Sequence, residues 1–249
     1  RKVKTKVKGF RTTDGAGVKL VRVLGNLTTK EFDPILMLDS FDSINPDDYT
    51  AGFPMHPHRG IETISYVSRG KMVHRDSLGN EAGISDGEVQ WMNSGSGIMH
   101  EEMVPAAERL LGVQLWLNLP AKDKMSKPSY NSIKNEDIKE IEIEGGKIRL
   151  LAGKYGEHEG YKGDYLSMDY YDIHLNAEVT LTMEEDDSVM VFTLLGDVYI
   201  DGEHIEEKTA VKLTEGDSLT IKNGNEKAQV LYMNSRALNE PVAWAGPIV

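Results

Sequence analysis

Residues 52–68 read GFPMHPHRGIETISYVS. The stretch joins two histidines, set two apart among prolines, to a run of β-branched and aromatic residues across Gly60. Such a run, bounded by glycine, signals a short strand. In a strand, side chains two apart share a face about 6.5 Å apart, so His56 and His58 point the same way, into one barrel. Imidazole nitrogens bind a metal at about 2.0–2.1 Å, and neighbouring rings on one face can converge on a single ion.

Working outward, strand signals dominate. GVKLVRVLG (17–25), ETISYVS (62–68), LLGVQLWLNL (110–119), KIRLLAG (147–153), SVMVFTLLGDVYIDG (188–202) and DSLTIKNG (217–224) are short and bounded by Gly, Asn or Asp. The dipeptides Asp14-Gly15, Asp86-Gly87, Asp201-Gly202 and Asn223-Gly224 mark turns between them. Only NEDIKEIEIEGG (135–146) reads equally as a short helix or an alternating strand. The expected fold is all-β, a sandwich or barrel.

The chain also repeats itself. SYVSRGKMVHRDSLGN (65–80) resembles FTLLGDVYIDGEHIEE (192–207), with Gly70 matching Gly196 at an offset of 126, and GEVQWMNSG (87–95) matches GDSLTIKNG (216–224) at an offset of 129. Two related β modules follow, residues 1–130 and 131–249, joined through LPAKDKMSKPSYNS (119–132), which reads as an exposed connection. By these offsets Thr182 and Glu184 stand where His56 and His58 do, and Gln229 and Leu231 where His100 and Glu102 do, so the second module has no histidine ligands. His158, His174 and His204 read as ordinary surface or core residues.

Composition narrows the function. The 249 residues carry 28 Lys+Arg against 40 Asp+Glu, a net charge of −12 that opposes binding to nucleic acid or to anionic lipid. There is no cysteine, hence no disulfide, thiolate ligand or cysteine nucleophile, and a reducing cytoplasm is the expected setting. No apolar run is long enough to span a membrane.

A metal needs further ligands beyond His56 and His58. SGIMHEEM (96–103) supplies His100 and Glu102, again two apart, with Glu101 turned the other way. Three imidazoles and a carboxylate suit Fe(II), Ni, Mn, Cu or Zn. Two residues compete. Glu62 shares the face of His58 if the strand is regular, although Gly60 can break that parity. His74, beside Arg75 and Asp76, reads as a turn residue, exposed or supporting a ligand.

These blocks resemble the pirin family of the cupin superfamily. The H-P-H-R-G-x-E-T block, GEVQWMNSGSGIMHEEM (87–103), DPILMLDSF (33–41), QLWLNLPAKDKM (114–125) and NEPVAWAGPIV (239–249) carry the likeness along nearly the whole chain. The turn before His100 reads NSGSG where such proteins commonly have a basic residue. The resemblance implies a bicupin, two jelly-roll β-barrel domains packed face to face, with one metal in the N-terminal domain held by His56, His58, His100 and Glu102. It leaves Glu62 outside that set and the C-terminal domain without metal.

The implied activity is that of a quercetin 2,3-dioxygenase: Fe(II) is the first expectation for the metal, a flavonol-like aromatic and O2 are the substrates, and Glu102 takes the substrate's enolic proton. Phe53, Met72, Trp91 and Met99 are candidate pocket residues, although such residues in a β-barrel are mostly core. The second reading from the family is a metal- and redox-sensing regulator that binds a transcription factor or metabolic enzyme, with Arg59 and Arg69 as contacts. A monomer is expected.

Overall fold

The computed structural model describes residues 1–185 and 187–249. Among the described residues it is built of strands, and the helical turns are the short 3-10 segments Pro46–Asp48 and Ala121–Asp123. Among the described residues no helix is long and apolar enough to cross a membrane. The ambiguous segment resolves as a strand, Lys139–Ile143, paired with Gly146–Ala152 through the hairpin at Gly145, whose φ is +83°. The alternation in KEIEI prevails because one face of that pair meets the core while the other is solvated.

The residues cluster into two units, and each draws on both halves of the sequence. One comprises Arg1–Gly9, Lys30–Pro34 and Glu136–Leu238; the other comprises Phe10–Thr29, Ile35–Asn135 and Asn239–Val249. A single cut between residues 130 and 131 therefore describes neither. The physical reason is strand pairing. Val3–Lys8 hydrogen-bonds to Thr209–Leu213, so the first residues belong with the later unit. Within the segment read as an exposed connection, Ser129–Ile133 pairs with Glu88–Asn93 and covers what is otherwise an exposed sheet edge.

Both units follow one plan, a seven-stranded and a four-stranded antiparallel sheet. In the unit built largely from the first half, the large sheet runs Ser129–Ile133, Glu88–Asn93, Ile61–Arg69, Leu110–Asn118, Ile35–Ser43, Val18–Leu24, Phe10–Asp14. Its small sheet runs Phe53–His58, Ile98–Met103, Met72–Asp76, Glu81–Ile84. In the other unit the same order is Val3–Lys8, Thr209–Leu213, Ser188–Leu195, Ala228–Ser235, Met168–Leu175, Gly146–Ala152, Lys139–Ile143. Its small sheet is Glu178–Thr182, Ser218–Asn223, Val198–Ile200, Glu203–Ile205.

This order corrects half of the repeat. The 126-residue offset joins equivalent strands, but the 129-residue offset does not. Glu88–Asn93 is equivalent to Thr209–Leu213, and the counterpart of Ile98–Met103 is Ser218–Asn223. Gln229 instead lies on the counterpart of Leu110–Asn118. The mismatch arose because a glycine-acid start and a polar turn frame many strands in such a chain. The conclusion drawn from it survives in sharper form. On the first two strands of the later small sheet the inward positions are Val179, Leu181, Leu219 and Ile221, all packed in a hydrophobic core. The equivalent strands of the earlier unit carry His56, His58, His100 and Glu102.

Lys212, on the strand Thr209–Leu213, is buried and donates to the Ser188 hydroxyl. Burial, helped by the charge of Lys4, pulls its ammonium down to about 8. An unfolded lysine titrates near 10.4, so between these values the unfolded chain binds a proton that the folded chain has released, and stability rises with pH across that window. Below pH 8 the cost of burying the charge is felt in full. Lys212→Met is expected to raise the urea midpoint at pH 7 and to raise it less at pH 9.5; a midpoint at pH 7 that is unchanged or lower counts against this account.

Candidate metal centre

Gly60 separates the two sheets of the earlier unit. Its φ of +78° lets the chain leave Phe53–His58 in the small sheet and enter Ile61–Arg69 in the large one. A methyl group there would lie 2.0 Å from the Val249 carbonyl oxygen, so the turn suits no larger residue. This break also decides the parity of Glu62. Ser65 faces the barrel interior, where its hydroxyl meets Glu102, and Glu62, three residues earlier, faces the opposite way.

Phe53–His58 and Ile98–Met103 pair antiparallel with His56 opposite His100. The ring nitrogens of His56, His58 and His100 lie within 4.8 Å of one another, a grouping that can hold a metal ion. His58 and His100 are buried and His56 is half-buried. Burial, and then the charges of the neighbouring histidines, hold His58 down to about 3 and His100 down to about 2. Both rings are therefore neutral at physiological pH, the form a metal ligand requires.

The hydrogen bonds select which nitrogen is free. His56 Nδ1 lies 2.8 Å from the Pro54 carbonyl oxygen, and His58 Nδ1 lies 3.2 Å from that of Pro247. A carbonyl only accepts, so each Nδ1 carries the proton and each Nε2 is left with its lone pair. Those two Nε2 atoms face each other at 3.1 Å. His100 Nε2 is buried without a hydrogen-bond partner. Buried polar atoms are nearly always satisfied, so an orphaned imidazole nitrogen beside two facing lone pairs fits a cation that all three would share.

Glu102 reaches the same interior from the next inward position but is taken up by the large sheet. Gln114 Nε2 donates to both its oxygens, at 3.0 and 2.7 Å, Gln90 Nε2 donates to Oε1, and the Ser65 hydroxyl lies 3.4 Å from Oε1. Gln114, Ser65 and Gln90 stand side by side on three adjacent strands. The sequence reading missed this clamp. Its signal was present, since a glutamine inside GEVQWMN and another inside LLGVQLWLN interrupt otherwise apolar strands. His74 is wholly buried, not exposed in a turn, because Met72–Asp76 is a strand paired with Ile98–Met103.

The candidate pocket residues divide differently. Phe53, Met72 and Trp91 are buried in the core, and Met99 is 40% exposed on the outer face of its strand. Instead Trp116 lies edge-on to His58 at 5.0 Å, backed by Trp244 at 5.5 Å. Arg59 is exposed against Met125, and Arg69 is exposed beside Asp86. In the other unit partly exposed His174 pairs with buried Asp172 and exposed His204 pairs with Asp197, each at 2.9 Å, and His158 is exposed.

With the fold and the convergent histidines in hand, comparison places the chain. Residues 17–117 match the Pirin family and residues 170–249 match the Pirin C-terminal cupin domain. A Pseudomonas aeruginosa protein with the provisional name quercetin 2,3-dioxygenase is 39% identical over 97% of this chain and 88% of its own length. The crystal structure of quercetin 2,3-dioxygenase from Acinetobacter baumannii superposes with a TM-score of 0.89 at 30% identity, covering 99% of this chain and 91% of that one. A bacterial pirin from Escherichia coli, solved in complex with nickel(II), shares the fold at a TM-score of 0.73 and 19% identity, over 94% of this chain and 98% of its own. The fold is a pair of cupin units, and the chain belongs to the pirin family.

The clamp makes a direct prediction. Gln114→Leu removes the donor that serves both oxygens of a buried carboxylate, and a loss of about 1–3 kcal/mol in unfolding free energy is expected. Chemical denaturation of the metal-free protein at pH 7 measures it, and a loss well below that range means that Glu102 draws little from Gln114.

Proposed function

We propose that the protein is a metal-dependent dioxygenase that opens flavonol rings of the quercetin type with O2. The observation that carries this reading is the orphaned His100 Nε2 set beside the facing Nε2 atoms of His56 and His58. The quercetin 2,3-dioxygenase names of a close relative and of a solved neighbour supply the reaction class.

His56, His58 and His100 would hold one divalent transition metal, with Glu102 as the fourth ligand of the family pattern. Fe(II) is the first choice, and Ni, Mn, Cu and Zn are compatible with the donor set. When bound, such a metal supplies open coordination positions and Lewis acidity to substrate and dioxygen. The remaining work falls to side chains. Glu102 would accept the proton of the flavonol hydroxyl at a carboxylate oxygen, and the donors from Gln90, Gln114 and Ser65 aim that carboxylate. The burial of His58 and His100 keeps both rings unprotonated and water away from them. Half-buried His56 marks the side from which a substrate reaches the cluster.

A second reading, a metal-sensing regulator of a transcription factor or metabolic enzyme, draws support from Met55 and Met99. These side chains are 49% and 40% exposed on the strands that carry the ligands, where a partner could read the state of the site.

Anaerobic reconstitution with Fe(II), metal quantification and oxygen uptake with quercetin separate the two. Uptake that requires quercetin and is abolished by His56→Ala is expected, with Glu102→Gln slowing it about 10²–10⁴-fold. One tightly held metal with no uptake rejects the oxygenase and leaves the regulator.

A further inference from the structure

The buried histidine that the mechanism does not use is His74. It lies on Met72–Asp76, paired with the strand that carries His100, and its side chain is completely buried. Its Nδ1 is 3.4 Å from His100 Nδ1, and its Nε2 is 2.8 Å from Asp76 Oδ2. The ring stacks on Tyr130 with centroids 4.0 Å apart and planes 15° apart, which fixes its rotation.

Asp76 is itself pinned. Its Oδ1 accepts the backbone N–H groups of Leu78 and Asn80, at 2.9 and 3.1 Å, and its Oδ2 accepts the Asn80 side-chain amide at 2.8 Å. A carboxylate so placed can only accept from His74, so in the neutral ring the proton sits on Nε2 and Nδ1 presents a lone pair. Among the described residues the group facing that lone pair is His100 Nδ1, which must therefore carry its own proton and donate. The consequence falls on His100 Nε2, the buried atom without a partner, which is left deprotonated and aimed at the histidine cluster. His56 and His58 obtain the same tautomer from backbone carbonyls; among the described residues His100 Nδ1 meets no such carbonyl and obtains it from a side chain.

We propose that Asp76 and His74 are positioning residues for the metal, a carboxylate–imidazole relay that fixes His100 in its ligating tautomer. Carboxylate or carbonyl partners of metal-bound histidines raise affinity by setting ring orientation and tautomer, and their loss typically costs about 10–100-fold. This inference rests on the reading of His56, His58 and His100 as a metal site.

Three variants test it. In Asp76→Asn, the two backbone N–H groups hold the amide oxygen at the Oδ1 position, so the NH2 faces His74 Nε2. His74 is then driven to protonate Nδ1, and His100 to protonate Nε2, the wrong nitrogen for a ligand. His74→Asn keeps an acceptor close to the position of Nδ1, whereas His74→Leu has nearly the same shape and none.

The measurements are Co(II) affinity of the full-length protein by chelator competition, and the hyperfine-shifted, solvent-exchangeable imidazole N–H resonances of the Co(II)-loaded protein. The wild type is expected to bind one Co(II) and to show a slowly exchanging N–H from His100. Asp76→Asn and His74→Leu are expected to bind about 10–100-fold more weakly and to lose that slow signal, and His74→Asn to recover most of both. Because Asp76→Asn preserves shape, it keeps the test decisive even where His74→Leu fails to fold. If Asp76→Asn binds Co(II) as tightly as the wild type with the slow N–H retained, the relay is overturned while the metal site stands. If the wild type binds no Co(II), or His56→Ala binds it equally well, the metal site itself is overturned and the relay with it.

Discussion

Two imidazole nitrogens, each with its opposite nitrogen already committed to a backbone carbonyl, face each other at 3.1 Å inside a β-barrel. Facing lone pairs repel, and the arrangement is comfortable only with a positive charge between or beside them. Much of the unit serves to hold it. Pro54 and Pro247 contribute carbonyls, Gly60 lets the histidine-bearing strand turn away at once, and Trp116 with Trp244 walls off His58. A barrel interior is rigid enough to bear this because packed side chains cannot drift to relieve it.

The two units make the constraint visible by contrast. Strand order is identical in both, yet one small sheet turns Val179, Leu181, Leu219 and Ile221 inward and the other turns imidazoles and a carboxylate inward. Aliphatic side chains fill their barrel through dispersion and exclusion of water and ask nothing of their neighbours' chemistry. Each polar group in the other barrel needs a partner, and those partners recruit further residues: Glu102 draws in Gln90, Gln114 and Ser65, and His74 draws in Asp76, which draws in Asn80. Polar interiors therefore spread outward through the fold, where apolar ones end at the first layer.

That difference also explains what could be read from the sequence. Strand content, turns and the His56, His58 and His100 cluster follow from local spacing and parity, which a strand enforces within a few residues. Residues brought together by register across strands are not local, so the Gln114–Ser65–Gln90 row and the relay behind His100 were hidden, though glutamines inside apolar runs hinted at the first. The repeat was legible where a glycine between two strands repeated, at Gly70 and Gly196, and was misaligned where only a generic turn pattern did. A contiguous division of the chain failed because sequence order carries no information about which sheet edge a terminal strand will cover.

The exchange of ends between the units sets an order of assembly. Residues 1–9 precede their partner strand Thr209–Leu213 by most of the sequence, and the unit that holds the histidine cluster draws in residues 239–249. The strand Val3–Lys8 therefore stays unpaired until Thr209–Leu213 has been synthesised, and His58 lacks its carbonyl partner until Pro247 has. A nascent polypeptide therefore holds His56, His58 and His100 in sequence long before it can present them together with Pro247.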